Sequence, residues 1–167
     1  MKIDIIAAVG SGKTTLSRKL CKSYGIPCYE LDNIMWIRTC NGDIRRNNEE
    51  RNKLFVSIIN SNSWIIEGSP RADFKEGYRK ADYIILLDTP SYIRLIRILK
   101  RWIRQRVGKE KYNSKPTFKM LIMMFKWHID FNRIRNDLIT ELIQYGDKFV
   151  ILKSEEEVYR FLSQSLY

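Results

Sequence analysis

Residues 3–20 read IDIIAAVGSGKTTLSRKL. A β-branched run at 2–7, KIDIIA, leads into Gly-Ser-Gly-Lys-Thr at 10–14. A helical pattern follows over 13–24, with Leu16, Leu20 and Tyr24 at spacings of four. The phosphate-binding pattern G-x-x-x-x-G-K-[ST] would set its first glycine at position 7, where Ala7 stands. An anion cradle needs small residues that fold the backbone tightly and turn its N–H groups inward. It needs a helix starting there, whose dipole and free amides face the anion. It needs a lysine and a hydroxyl for the outer phosphates and Mg²⁺. Gly10, Ser11 and Gly12 supply the first, the helix from Lys13 the second, and Lys13 with Thr14 the third. Position 7 is the end of the strand, where a small residue with negative φ can serve. The expected nucleotide contacts are therefore Val9, Gly10, Ser11, Gly12, Lys13, Thr14 and Thr15.

Outward from this stretch, strand and helix patterns alternate. Gly25 stops the first helix and Pro27 restarts an extended piece, PCYEL. Residues 33–46 read as loop or irregular helix, and 48–61 as a helix ended by NSNS. WIIEG at 64–68 and DYIILLDTP at 82–90 read as strands, the second stopped by Pro90. A helix is expected over about 91–107, a loop in GKEKYNSKPT, and one or two helices over about 117–145. KFVIL at 148–152 is the last strand, and Ser154 with Glu157 forms a capping box for a helix over 155–165. Strands apolar on both faces and separated by helices imply a parallel sheet covered on both sides.

The chain has 167 residues, enough for one domain with a real core. Thirty Lys and Arg against nineteen Asp and Glu give a formal charge of +11. That balance implies an anionic partner, whether phosphorylated ligand, nucleic acid or acidic surface, or else a basic solvated surface. The three cysteines, Cys21, Cys28 and Cys40, form no C-x-x-C pair, so neither a disulfide scaffold nor a zinc site is expected. A reducing cytosol is the simpler setting. Asp4 interrupts the only signal-like start, and the apolar run MLIMMF at 120–125 is too short to span a bilayer.

Further motifs narrow the class. YELD sets Asp32 at a strand end, where ligand crevices form in such sheets. Its carboxylate is either a base or metal-water holder for an attacking hydroxyl, or a helix N-cap for 33–37. Arg94, Arg97, Arg101 and Arg104 fall within a wedge of roughly 80° on one helix face, opposite an apolar side. They form either a row of guanidiniums for phosphate or a solvated basic face. His128 stands alone and reads as structural.

With these residues in place, the chain resembles the P-loop NTPase superfamily, in which Gly and Ala both occur at the first loop position. Within it, the resemblance runs to the small adenylate-kinase-like phosphotransferases, and most closely to the bacterial "DNA topology modulation protein" family. WIIEGSPR is similar to the Asp-Gly-Phe-Pro-Arg segment of adenylate kinases. That implies Glu67 near Mg²⁺, reached through water because Glu stands for Asp, and Arg71 on the acceptor phosphate. The alternative for Gly-Ser-Pro is a plain turn. Asp32 followed by Trp36 resembles a Leu-Asp and tryptophan pair of the family, and Pro90, Arg97 and Arg101 match its lid-helix spacing.

The resemblance implies an α/β, three-layer α/β/α P-loop kinase fold with a mainly five-stranded parallel sheet and a helical lid. Residues 1–167 would form a single domain, with 33–60 as acceptor-binding segment and about 97–130 as lid region. The implied activity is transfer of the γ-phosphoryl of ATP, with Mg²⁺, to a small phosphorylated or nucleotide-like acceptor. Lys13, Asp32, Arg97 and Arg101 would be catalytic, and Asp32, Trp36, Arg38 and Arg71 would bind the acceptor. Thr14 and Glu67 would serve the metal. A cytoplasmic monomer or homodimer with no membrane partner fits this picture. The alternative is a nucleic-acid-binding ATPase, favoured by charge and family label, although no helix-turn-helix, zinc finger or RNA-binding signature is present.

Overall fold

The computed structural model describes residues 1–39, 42–110 and 116–165. Cys40 and the middle of the GKEKYNSKPT loop lie outside the described residues. In chain order the elements are β1 (Lys2–Ile6), α1 (Lys13–Tyr24), β2 (Cys28–Glu30), α2 (Leu31–Met35), β3 (Trp36–Thr39), β4 (Gly42–Arg45) and α3 (Asn48–Ile59). Then come β5 (Trp64–Gly68), α4 (Lys75–Lys80), β6 (Tyr83–Leu87), α5 (Ser91–Arg106), α6 (Phe118–Ile143), β7 (Phe149–Leu152) and α7 (Glu155–Ser165). Two 3₁₀ turns, Ala72–Phe74 and Gly146–Lys148, precede α4 and β7.

Five strands form one parallel sheet in the order β2-β5-β1-β6-β7. The motif strand β1 is central, with β5 on one side and β6 on the other. Its side chains alternate. Ile3, Ile5 and Ala7 join a core with Leu16 and Leu20 of α1 and Val158 and Leu162 of α7. Ile6 and Ala8 join a second core with Phe55 of α3, Tyr78 of α4 and Phe131, Leu138 and Leu142 of α6. The central strands are buried on both faces, as a parallel sheet between two helical layers requires. The C-terminal ends of β1, β2, β5, β6 and β7 therefore open on one edge of the sheet, where the loops of interest lie.

Two expectations are corrected here. Residues 33–46 are not a loop or irregular helix. They form α2 and an antiparallel hairpin, β3 with β4, in which Trp36 pairs Arg45 and Thr39 pairs Gly42. Gly42, which opens β4, takes φ 121°, a value that favours glycine. The second correction concerns the cysteines: Cys21 and Cys28 are joined in a disulfide, with their Cα atoms 5.9 Å apart. Gly25 ends α1 in a left-handed cap, and Pro27 sends the chain back along the helix, so the last turn of α1 faces the first residue of β2. A spacing of seven residues carries no motif, but the reversal brings the two side chains together. No described helix is long and apolar enough to cross a membrane.

Candidate functional site

The loop between β1 and α1 is shaped by two glycines in left-handed conformation, Gly10 at φ 78° and Gly12 at φ 94°. A Cβ on Gly10 would lie 2.7 Å from the Arg94 carbonyl oxygen and 3.0 Å from Ile98 Cγ1, because α5 packs against the loop there. Gly12 is the N-cap of α1, no side chain caps the helix, and its first turn holds no acidic residue. The Thr14 and Thr15 amides of that turn are thus left to an anion. The Ser11 carbonyl accepts from Thr89 Oγ1 at 3.2 Å and from Arg97 Nη1 at 2.5 Å. Two donors from the β6–α5 segment therefore fix the loop at this carbonyl. The Ser11 hydroxyl accepts from the Lys13 amide at 3.3 Å. Ala7 lies just past β1, fully buried, and its amide donates to the Gly68 carbonyl at 3.0 Å.

Glu67 lies on β5 beside β1, in register with Ile5, and is 2% exposed. Its Oε1 accepts from Thr14 Oγ1 at 2.5 Å, and its Oε2 has no hydrogen-bond partner among the described residues. Burial pushes the Glu67 carboxyl above the ordinary range, against the opposing pull of the Lys13 charge and the Thr14 hydrogen bond. A buried carboxylate oxygen without a partner, next to a threonine hydroxyl at a helix N-terminus, is the donor set a hard cation such as Mg²⁺ takes. The residues present therefore fit the metal.

Asp32 and Arg71 come together from different elements. Asp32 is the second residue of α2, whose N-cap is Glu30, so the N-cap alternative for Asp32 does not hold. Its exposed carboxylate accepts from Arg71 Nη2 at 3.2 Å. Arg71 follows β5, and its buried Nε has no partner among the described residues. Arg38 lies on β3 and is engaged by Asp43 across the hairpin and by Asn33, whose Oδ1 accepts from Nε at 3.0 Å. Trp36 is half-buried at the base of the hairpin and packs on the core. Val9 is half-buried in the loop, and Thr15 is exposed on the first turn of α1.

The arginine row on α5 divides. Arg97 reaches the loop, whereas Arg101 and Arg104 turn to Glu110, at 3.6 and 3.3 Å. Arg94 is buried against α6. Two features were not anticipated. Thr89 buttresses the loop, and Asp88 forms a two-point ion pair with Arg135, whose Nε and Nη2 donate at 3.0 and 2.5 Å. Both follow from Asp88-Thr89-Pro90 ending a strand at the ligand edge, the rule that singled out Asp32.

No family model matches the chain. A curated relative, the mitochondrial GTP:AMP phosphotransferase of Drosophila melanogaster, is 27% identical over 135 aligned residues, covering 63% of this chain. The match spans 58% of that relative's length. Among solved structures, the shikimate kinase of Bacteroides thetaiotaomicron superposes with a TM-score of 0.59 at 13% identity, covering 100% of this chain and 99% of that one. This likeness shows the fold, an α/β P-loop kinase fold.

Proposed function

We propose that the chain is an ATP-dependent kinase that transfers the γ-phosphoryl group, with Mg²⁺, to a small phosphorylated or nucleotide-like acceptor. The observation that carries it is the joint geometry at the end of β1. The first turn of α1, with no acidic residue in it, Lys13, whose charge acts on Glu67, and the Thr14–Glu67 pair with its unpartnered oxygen belong to this one loop and the strand beside it. The kinase names of the relative and of the structural neighbour support phosphoryl transfer in general terms.

In this proposal the loop amides and Lys13 hold the outer phosphates, where charge spreads over the equatorial oxygens in transfer. Thr14 and Glu67 would hold Mg²⁺, Glu67 directly or through water. Arg97 holds the Ser11 carbonyl and lies beside the loop that receives the phosphates. The acceptor hydroxyl attacks the γ-phosphorus while the bond to the β–γ bridging oxygen breaks, and its proton passes to Asp32. Arg71, released from Asp32, binds the acceptor's own phosphate, with Trp36 and Arg38 lining the 33–60 segment. Arg101, with α5 and α6, belongs to a lid over about 97–130 that excludes water on closing. The chain works as a single domain, as monomer or homodimer. The second reading, a nucleic-acid-stimulated ATPase related to the topology modulation family, draws on the +11 charge.

Lys13→Ala is expected to abolish ATP-Mg²⁺-dependent thermal stabilisation and phosphoryl transfer. Equal stabilisation of variant and wild type would refute the loop assignment. A screen of nucleosides, nucleotides and hydroxyl metabolites, each with ATP and with GTP, identifies acceptor and donor. Hydrolysis stimulated by DNA and indifferent to every acceptor would select the second reading.

A further inference from the structure

Arg94 has no role in the site above. It is 3% exposed, the most completely buried arginine among the described residues. Its Nη2 donates to Asn132 Oδ1 at 2.5 Å, and its guanidinium lies 5.3 Å from the centre of the Phe131 ring. Its Nε and Nη1, which together carry three N–H donors, have no hydrogen-bond partner among the described residues. No described carboxylate forms an ion pair with it. A buried guanidinium in this state costs heavily unless a charge and acceptors complete it.

Arg94 lines a cleft of about 260 Å³ with Asp88, Thr89, Pro90, Ser91, Asn132, Arg135 and Lys153. Its charged groups are three cations, Arg94, Arg135 and Lys153, and one carboxylate. Both oxygens of that carboxylate, Asp88, already accept from Arg135. The remaining charge of the cleft is therefore positive, beside the hydroxyl of Ser91 and the amide of Asn132. The neighbouring His128 is kept below its ordinary pKa by burial and by Arg94. Its Nε2 lies 2.9 Å from Ser91 Oγ, which orients that hydroxyl. The cleft is separate from the loop cradle. Arg97, one turn along α5, is the side chain that reaches Ser11, while Arg94 points to α6. The two places meet at Thr89, which donates to the Ser11 carbonyl, and at the backbone of Arg94, whose carbonyl packs on Gly10.

We propose that this cleft between the start of α5 and α6 is a second oxyanion site, taking a phosphate or carboxylate group on the unpartnered donors of Arg94, with Lys153 at its mouth. Occupancy supplies the acceptors that the buried guanidinium lacks. A ligand of this class is a free anion or the acidic group of a small metabolite.

The test uses the full chain carrying Lys13→Ala, which removes the loop lysine. Inorganic phosphate and succinate are titrated separately, with binding followed by calorimetry and by the rise in melting temperature. Saturable stabilisation by phosphate identifies a phosphate site, and by succinate alone a carboxylate site. Lys153→Glu at the exposed mouth is expected to weaken binding about tenfold or more, as loss and reversal of one charge-assisted contact implies. Arg94→Met is expected to abolish it. If Arg94→Met does not fold, Lys153→Glu decides alone. The proposal is overturned if Lys13→Ala removes every anion response, or if Lys153→Glu binds as its parent does.

Discussion

Asp4 gives the sharpest physical test of the fold behind the loop. It sits in the middle of β1, on the face covered by α3, α4 and α6, and is 2% exposed. Its Oδ2 lies 3.0 Å from where a Cβ on Gly77 would stand. Burial pushes its carboxyl up from 3.8 to about 8. The sign of the consequence follows from proton counting. Between these values the folded chain holds a proton that the unfolded chain releases, so stability falls as pH rises. The contribution is fully present below about pH 4 and is lost by about pH 8. A gap of that size corresponds to on the order of 5 kcal/mol, at 1.36 kcal/mol for each pKa unit. Such a loss is a large part of a domain's usual stability. Asp4→Asn keeps the shape and removes the titration. Urea unfolding at intervals from pH 5 to 9 is the assay, read as the midpoint at constant m. The wild type is expected to lose stability steadily to about pH 8, while Asp4→Asn stays flatter and exceeds it above pH 7. His128 acts in the opposite sense: its lowered pKa removes stability as pH falls below about 6.5, and it does so equally in both proteins. The difference between them therefore isolates Asp4. Parallel curves across the range would refute a buried, neutral carboxyl at this position.

Two further outcomes bear on the site. Gly10→Ala sets a methyl against the Arg94 carbonyl at a positive φ, and is expected to cost about 2–4 kcal/mol and to displace the loop, with nucleotide-dependent stabilisation lost in thermal-shift assays. Wild-type response to nucleotide would show that α5 yields at this contact. Glu67→Gln is expected to lower the apparent Mg²⁺ affinity in transfer assays about 10–100-fold while leaving metal-free nucleotide binding in place. An unchanged Mg²⁺ dependence would remove Glu67 from the metal site.

What could be read from the sequence follows the reach of each signal. The parallel sheet was legible because its strands are apolar on both faces, and α1 because Gly12 and Gly25 bracket a regular pattern of Leu16 and Leu20. The hairpin over 36–45 was missed although Asn-Gly at 41–42 is a hairpin-turn pair, because flanking residues such as Arg38, Asp43 and Arg45 give no apolar alternation. Its strands lie on the surface, so no buried face leaves a periodic trace. The disulfide was missed because it depends on a chain reversal rather than on spacing.

The arginines of α5 show why the site was harder to read than the fold. Helical spacing put Arg94, Arg97, Arg101 and Arg104 on one side, but spacing measures only angle about the axis. What each guanidinium does depends on the element that faces it at its own height along the helix. Near the start of α5 the neighbours are the Gly10–Ser11 turn and α6, so Arg97 meets a carbonyl and Arg94 meets Asn132 and Phe131. Two turns further on, neither neighbour is the partner, and Arg101 and Arg104 turn to Glu110. One amphipathic pattern thus contains a loop clamp, a buried cation and two surface pairs. Only the first touches the loop that the motif marks, where α5 also sets the Arg94 carbonyl 2.7 Å from the Cβ position of Gly10.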